Sequence, residues 1–222
     1  MGKGAIRSHF PGAARRCAAA VVCLALSGAA QGRSDNGMVL VAKPEINDPS
    51  FARTVVLVRE HGHGRMVGIV LNRPTETRLA ELFSGGKNRR RQSDRIFAGG
   101  PVAPNTLVFL ARLKKPPPHT LHVFGDVHLG FDAGALEALL RRPESVLDLR
   151  VYRGYAGWTL RQFHGEIDRG DWHVLRADAG VVFSTDPEKL WSEMIRRTAG
   201  TTARHGTHQR HLAGVHAAGM GQ

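Results

Sequence analysis

Short β-type apolar runs alternate with segments of helical spacing from Met38 to about Thr198. The run Thr54–Val58 is continuous and rich in β-branched residues, which predicts a strand covered on both faces. A Gly-rich turn separates it from the run Met66–Leu71, and this spacing predicts a β-hairpin. The other predicted strands are Val39–Ala42, a strand near Ile96, Leu107–Leu110, Val146–Tyr152, Trp172–Leu175 and Val181–Phe183.

Helix signals lie between these runs. Asp132 is a suitable N-cap for a helix through Arg141, and Asp186 followed by Pro187 predicts another helix to about Arg197. The remaining predicted helices are Leu79–Phe83 and a segment from just after Trp158 to about Asp168, which Gly170 ends. Hairpins combined with short helices predict an α+β fold. We expect a single domain with a mixed, mainly antiparallel sheet or flattened barrel and several short flanking helices.

The two ends of the chain differ from this pattern. Residues 1–36 have the features of an export signal: basic residues, the apolar run Cys17–Leu26, and small residues that favour cleavage after Ala30. The run is too short to remain as a membrane anchor, so a periplasmic or secreted protein without an anchor is expected. The alternative is a cytosolic protein whose start codon is assigned too far upstream. Residues 200–222 show no apolar periodicity and are expected to be disordered, which leaves 37–199 as the folded domain.

Charge and cysteine content narrow the range of partners and chemistry. The chain has 31 Lys and Arg against 19 Asp and Glu, a formal net charge of +12, which favours acidic partners. Both cysteines, Cys17 and Cys23, lie in the leader, so a mature chain would have no disulfide, zinc–thiolate site or Cys nucleophile. The standard signatures of serine hydrolases, zinc proteases, nucleotide-binding loops and dinucleotide-binding folds are missing from the sequence. No cofactor is therefore expected.

Two groups of basic residues are candidate binding sites. His61 and His63 would share a face in a strand and could then hold a divalent metal, but their Gly-rich turn favours display to water, so no metal site is expected. The densest charge cluster consists of Lys87, Arg89, Arg90 and Arg91, with Arg95 close behind. Because no aromatic residue or helix-turn-helix pattern accompanies it, the cluster predicts a solvated surface that attracts anions, such as lipid phosphates or acidic polysaccharide, rather than nucleic acid.

Several short motifs occur in a characteristic order along the chain. They are Leu40–Pro44, Asp48–Phe51, Val70–Pro74, Phe97–Val102 and Gly154–Trp158. Together they resemble the YqgE/AlgH family of bacterial proteins, the UPF0301 group, from about Met38 to about Thr198. The family has no settled biochemical activity, although members have been associated with transcriptional control of exopolysaccharide production. The acid of the family's helix after the Trp is retained as Glu166, whereas the residues just before it depart from the family pattern.

The candidate ligand-binding residues are Asn72, Gly99, Gly100, Tyr155 and Trp158. Each ends a predicted strand or lies in the turn that follows, where folds expose functional groups. Each residue has a functional and a structural interpretation. The glycines could present N–H groups to an anion or make a tight turn, and Asn72 could orient a ligand or close its own turn. The aromatic residues could contact a ligand or fill the core. We expect the three segments to converge at one sheet edge and line a shallow concave site.

Three functions agree with these observations. The first is a non-catalytic domain that binds a ligand or a partner, with regulation as one form of this role. The second is an unrecognised hydrolase that uses Asn72, the Gly99–Gly100 turn and the Tyr155/Trp158 pair. The third is a cytosolic transcriptional regulator of exopolysaccharide production. The missing catalytic signatures and the lack of a recognisable DNA-binding element favour the first.

Overall fold

The computed structural model describes residues 37–62, 64–83, 94–141 and 146–199. They form one α+β domain around a curled, mainly antiparallel sheet, which confirms the predicted fold class. The strands are β1 (Met38–Ala42), β2 (Val55–Glu60), β3 (Arg65–Val70), β4 (Pro74–Arg78), β5 (Arg95–Ala98), β6 (Val102–Leu113), β7 (Leu121–Phe124), β8 (Val127–Gly130), β9 (Val146–Thr159) and β10 (Trp172–Arg176). The helices are α1 (Leu79–Leu82), α2 (Ala133–Arg141), α3 (Leu160–Asp168), α4 (Ala179–Val182) and α5 (187–199). The leader, the tail, His63 and the cluster from Lys87 to Arg91 lie outside the described residues.

The long strand β9 organises the sheet. The strand order is β10-β1-β2-β3-β9-β6-β8-β7, so β9 joins the β1–β3 half to the β6–β8 half. Its C-terminal part pairs antiparallel with β3, and β6 follows it along most of its length. The short strand β5 pairs with the middle of β9 in parallel, at Tyr152 and Arg153, and β4 pairs with β5. Three motif-bearing segments therefore meet near the middle of β9.

Both faces of the sheet are covered, which explains the continuous apolar runs of β1, β2 and β3. Alternate side chains of a strand point to opposite faces. One face carries an inner core shared by both halves of the sheet and by α4 and α5; Val41, Leu57, Leu110 and Leu190 belong to it. The opposite face carries two separate outer cores, one that includes α1 and α2 and one that includes α3.

The predicted helix boundaries rest on local hydrogen bonds. Asp132 Oδ1 accepts from the Ala135 N–H at 2.6 Å at the start of α2. Asp186 Oδ1 accepts from the Lys189 N–H at 3.2 Å at the start of α5. Gly170 has a φ of +76° just after α3, a conformation that glycine adopts without steric penalty. Both predicted caps and the predicted helix stop are confirmed.

The strand predicted over Val181–Phe183 is wrong, because this run forms the helical turn α4 and its C-cap. Asp178 Oδ1 accepts from the Val181 N–H at 3.2 Å and so caps the turn. Val181 and Val182 are buried in the inner core. A short apolar run has no periodicity that separates a buried strand from a buried helical turn.

The sequence suggested that Gly154–Trp158 lies at a strand end and in the turn that follows, but the structure shows no turn there. These residues continue β9, because Tyr155 pairs with Val102 of β6 and Trp158 pairs with Met66 of β3. Gly154 has a φ of +70°, and the side chains that face the inner core change from even to odd positions around it. The glycine therefore marks an irregularity inside a strand.

The hairpin of β7 and β8 was missed from the sequence. Gly125, with a φ of +50°, and Asp126 connect the two strands. Gly-Asp between two apolar runs is itself a hairpin signal, so this element could have been predicted. The strand β4 has no comparable hairpin or strand signal in its sequence, because it begins at Pro74, is polar and is only partly buried.

Candidate functional site

The three motif segments converge through their backbones near the middle of β9, a central strand, and not at the expected sheet edge. The Val70 N–H donates to the Gly99 carbonyl at 2.9 Å, and the Gly99 N–H donates to the Arg153 carbonyl at 2.7 Å. The Ala98 N–H donates to the Arg73 carbonyl at 2.8 Å. Segments after β3, after β5 and within β9 are thus tied together at one crossing.

Gly99 and Gly100 allow the two chains to come into backbone contact at this crossing. A Cβ at Gly99 would lie 2.3 Å from the Gly154 carbonyl oxygen, and a Cβ at Gly100 would lie 2.3 Å from the Tyr155 carbonyl carbon. Gly100 also has a φ of +150°, which disfavours any side chain. Because the Gly99 N–H is already bonded to Arg153, it is not available to an anion.

The Asn72 amide is likewise engaged inside the fold. Its Oδ1 accepts from the Val55 N–H at 2.9 Å, and its Nδ2 donates to the Arg53 carbonyl at 3.0 Å. Arg53 has a φ of +56°, so Asn72 holds a left-handed residue in place before β2. The neighbouring Arg73 donates to the Pro49 carbonyl at 2.8 Å, and partial burial lowers the pKa of its guanidinium.

Trp158 is a core residue that connects two strands to α3. Its ring lies against Gly68, where a Cβ would be 2.6 Å from the indole Cζ3. The Trp158 indole N–H donates to Glu166 at 3.1 Å, and the Trp172 indole N–H donates to the same carboxylate at 2.9 Å. Glu166, the acid retained from the family pattern, therefore accepts both indole N–H groups.

Tyr155 lies on the other face of the sheet from Trp158, since it packs with the inner core and Trp158 belongs to an outer core. The half-buried Tyr155 ring meets the Phe131 ring edge to face, with centroids 5.6 Å apart. Val102, its partner across the strands, is 38% exposed. These three side chains belong to the apolar lining of a cleft of about 460 Å³, within the size range of ligand sites.

We call this space the Tyr155 cleft. Its lining brings together two of the predicted site residues, Tyr155 and Trp158. The other lining residues are His61, Arg65, Met66, Val67, Val102, Phe131, Gly157, Thr159 and Gln162. Arg65 and His61 are exposed at its rim, and no described carboxylate pairs with Arg65. The Gln162 side chain accepts from the Thr159 N–H at 3.0 Å and so belongs to the start of α3. The described lining contains no carboxylate, Cys or Ser. An apolar floor beside the exposed Arg65 guanidinium suits the binding of an anionic group on an apolar body.

The sequence missed Phe131, Val102 and Arg65 as cleft residues. Phe131 follows the unpredicted β7–β8 hairpin, and Val102 comes after the Gly99–Gly100 turn. Only the strand order brings them to Tyr155, and no local pattern encodes that order.

A second cleft of about 460 Å³ lies between β5, β9 and the start of α5. Its cations are engaged within the fold: Arg95 lies 3.7 Å from Glu188, and Arg150 donates to the carbonyls of Val182 and Ser184. The Arg150 guanidinium also lies over the Phe97 ring, 4.8 Å from its centroid. These contacts hold β9 to the connection between α4 and α5, so they favour a structural role for this cleft over a ligand-binding role.

Within the described ranges, no group of His, Cys, Asp and Glu could hold a metal ion. No described helix combines the length and apolarity that crossing a bilayer requires.

Comparison with known proteins gives the chain its relatives. The family model described as AlgH-like (DUF179) matches residues 39–203. A UPF0301 protein of Streptomyces coelicolor is 33% identical over 189 residues, which cover 82% of this chain and 96% of the relative. A UPF0301 protein of Mycobacterium tuberculosis is 35% identical over 167 residues, which cover 72% of this chain and 81% of the relative.

Solved structures agree with this relationship. The solution structure of the AlgH protein from Pseudomonas aeruginosa superimposes with a TM-score of 0.60 at 27% identity and covers 85% of this chain and 95% of that one. A crystal structure of a Corynebacterium diphtheriae protein, 22% identical with a TM-score of 0.60, shares the fold over 72% of this chain and 85% of its own. The chain therefore belongs to the AlgH-like family, the UPF0301 group of proteins of uncharacterised activity.

Proposed function

We propose that the chain is a non-catalytic binding domain and that the Tyr155 cleft receives its ligand or a partner's side chain. The class of group that fits is an anion carried on an aromatic or apolar body. The observation that carries this proposal is the Phe131–Tyr155 edge-to-face pair, which lies in an open cleft beside the exposed Val102.

The charge at the rim supports an anionic ligand. Arg65 is exposed and lacks a described carboxylate partner, so its guanidinium is available for a bidentate bond to a carboxylate or phosphate. The aromatic pair offers an edge and a face on which a flat apolar group can pack.

The hydrolase alternative has less support from the geometry. The Asn72 amide and the Gly99 N–H are bonded within the fold, and Tyr155 and Trp158 lie on opposite faces. Tyr155 and Trp158 both line the Tyr155 cleft, but the Asn72 amide and the Gly99 N–H that a hydrolase would also need are engaged elsewhere in the fold. The cluster from Lys87 to Arg91 and residues 1–36 lie outside the described residues, so anion attraction by the cluster and export through the leader stay predictions. The transcriptional alternative stays a prediction as well.

Binding of 2-naphthoate tests the proposal, with the neutral 2-naphthamide as a matched probe. A fragment of this size is expected to bind with a dissociation constant on the order of 1 mM. Val102→Glu places a carboxylate in the cleft and should weaken naphthoate binding at least tenfold. Leu147→Glu, at an aliphatic residue 50% exposed on β9 outside the cleft, is the control and should bind as the parent does.

Arg65→Gln separates the charge from the apolar contacts. We expect this variant to bind naphthoate and naphthamide equally, whereas the parent chain prefers naphthoate because the guanidinium pairs with the carboxylate. Calorimetry or ligand-observed NMR measures both affinities. Failure of the parent to bind naphthoate, or equal binding by Val102→Glu and Leu147→Glu, would contradict the assignment of the cleft.

A further inference from the structure

The Tyr155 cleft contains a short stretch of strand edge at Gly157, one of its lining residues. Strand β6 pairs with β9 only as far as Val102, opposite Tyr155, and no described strand continues along that side of β9. On the other side, the Leu160 N–H donates to the Gly64 carbonyl at 3.0 Å. Backbone groups alternate in direction along an antiparallel strand. The N–H and C=O groups of Gly157 therefore point away from β3, to the side where β6 has ended.

The fold itself does not require a glycine at position 157. A Cβ there would have its nearest neighbour at 3.8 Å, on the Tyr155 ring, and the residue does not have a positive φ. This differs from Gly99 and Gly100, where a Cβ would meet the backbone of β9. A glycine weakens a strand and often marks a site where a ligand or another backbone approaches closely. The missing side chain therefore leaves room beside Tyr155 for a group from outside.

One added residue, laid antiparallel opposite Gly157, would satisfy both outward groups. Its N–H would donate to the Gly157 carbonyl, and its own terminal oxygen would accept from the Gly157 N–H. Directly opposed residues place their side chains on the same face. Gly157 pairs with Val67, a residue of the inner core, so the added side chain would lie on the face of the Tyr155 and Phe131 rings. An aromatic side chain suits this place, because it covers the glycine and packs against both rings.

The charge of the cleft favours the end of a chain over its middle. Arg65 is exposed and pairs with Thr159, two residues beyond Gly157 on β9. The described lining contains no carboxylate. A C-terminal carboxylate could accept from the Gly157 N–H with one oxygen and from the Arg65 guanidinium with the other. An internal peptide segment has no charge to offer this guanidinium.

We infer that the Tyr155 cleft binds the C-terminal end of a polypeptide whose last residue is aromatic. The inference rests on the proposed function, because it names the chemistry of the ligand of the same cleft. The last residue pairs with Gly157, its ring packs on Phe131 and Tyr155, and its carboxylate binds Arg65. This is strand addition limited to one residue, so selectivity comes from the carboxylate and the ring.

Titration of the full chain with acetyl-Gly-Ser-Gly-Phe, followed by NMR or calorimetry, tests this inference. The free acid should bind about tenfold more tightly than the same peptide with a C-terminal amide, and about tenfold more tightly than a peptide that ends in Ala. Methylation of the Phe nitrogen removes the donor to the Gly157 carbonyl and should weaken binding about fivefold. Methylation of the Ser nitrogen is the matched control and should leave the affinity unchanged.

A variant of the chain gives an independent result. Gly157→Ala places a methyl group where the added ring would pack, and it should weaken binding of the free acid about threefold. Gly165→Ala, on α3 outside the cleft, also has room for its Cβ, with the nearest neighbour at 3.6 Å, and should bind as the parent does. Chemical unfolding of each variant checks the fold.

Acetylphenylalanine separates a polypeptide end from a free acylated amino acid. The tetrapeptide should bind at least as tightly, and tighter binding of acetylphenylalanine would overturn the inference. Binding of 2-naphthoate together with equal affinity for the unmodified and Phe-methylated peptides would overturn it and leave the proposed function intact. Equal binding of the free acid by Gly157→Ala and Gly165→Ala would also overturn it. Failure to bind both 2-naphthoate and the peptide would contradict the inference and the proposed function together.

Discussion

At the scale of single residues, Gly99 and Gly100 act through their missing side chains. Gly99→Ala or Gly100→Ala would drive a methyl group into the backbone of β9, 2.3 Å from its nearest atom in each case. We expect either substitution to lower the free energy of unfolding by roughly 3 kcal/mol, because neither chain can move without breaking the crossing.

Gly157→Ala is the matched control on the same strand. A Cβ there would find its nearest neighbour at 3.8 Å, an ordinary contact, and the residue is exposed. Its unfolding free energy should stay within about 1 kcal/mol of the parent value in urea titrations. Equal stability of the Gly99, Gly100 and Gly157 variants would show that the close crossing is not what these glycines provide.

The sequence could identify such residues but not their roles. A Gly-Gly-Pro turn and an Asn before Arg-Pro are compatible with both a ligand contact and a local structural bond. The choice depends on which distant backbone group lies nearby, and Val55 and Arg153 are far away in sequence from the residues they bond.

At the scale of elements, Glu166 holds α3 to β9 and β10. Glu166→Ala would leave the buried indole N–H groups of Trp158 and Trp172 without an acceptor, and we expect a loss of about 2–3 kcal/mol in unfolding free energy. Glu166→Gln keeps an acceptor oxygen and should lose less. The exposed Asp168→Ala on the same helix should change stability by no more than about 0.5 kcal/mol.

Chemical unfolding followed by tryptophan fluorescence measures this series. Similar midpoints for Glu166→Ala and Asp168→Ala would mean that the carboxylate bridge does not stabilise the packing of α3.

The β6–β8 half carries an ion pair whose contribution depends on pH. Arg112 donates to both carboxylate oxygens of Asp126, from Nε at 2.9 Å and from Nη2 at 3.0 Å. These hydrogen bonds lower the pKa of Asp126 below its ordinary value. A lowered carboxyl pKa stabilises the folded state above the unfolded pKa of about 3.9, and this contribution is lost as pH falls through the folded pKa.

Asp126→Asn should therefore lower the thermal midpoint at neutral pH, and the difference from the parent should shrink as the solution is acidified below about pH 4. Thermal melts across this range measure the effect. Asp168→Asn, on an exposed face, serves as control. A difference that persists unchanged in acid would assign the loss to packing rather than to the ionised pair.

Elements with strong local signals were predicted well. The hairpin of β2 and β3, the capped start of α5 and the end of α3 at Gly170 follow from turn, capping and glycine rules that act within a few residues. The run Val181–Phe183, which forms part of α4 and its C-cap, is too short to show a helical or strand period. The extension of β9 through Gly154 to Thr159 depends on pairing with β3 and β6, which local patterns do not reveal.

At the scale of the whole molecule, the fold class and the family followed from the sequence, whereas the cleft did not. Tyr155 and Val102 come from β9 and β6, and Phe131 directly follows β8, so their meeting requires the order β9-β6-β8. Asn72, Gly99 and Gly100 support the fold, and Tyr155 faces the cleft. Trp158 packs in an outer core and also lines the cleft. A ligand in that cleft is the central claim.

The most direct test is to locate bound 2-naphthoate by NMR on the full chain. The account predicts intermolecular nuclear Overhauser contacts from the naphthalene ring to the Tyr155 and Phe131 rings and to the Val102 methyl groups, with the carboxylate next to Arg65. Contacts to the cleft around Arg150 and Phe97, or to no single site, would contradict it.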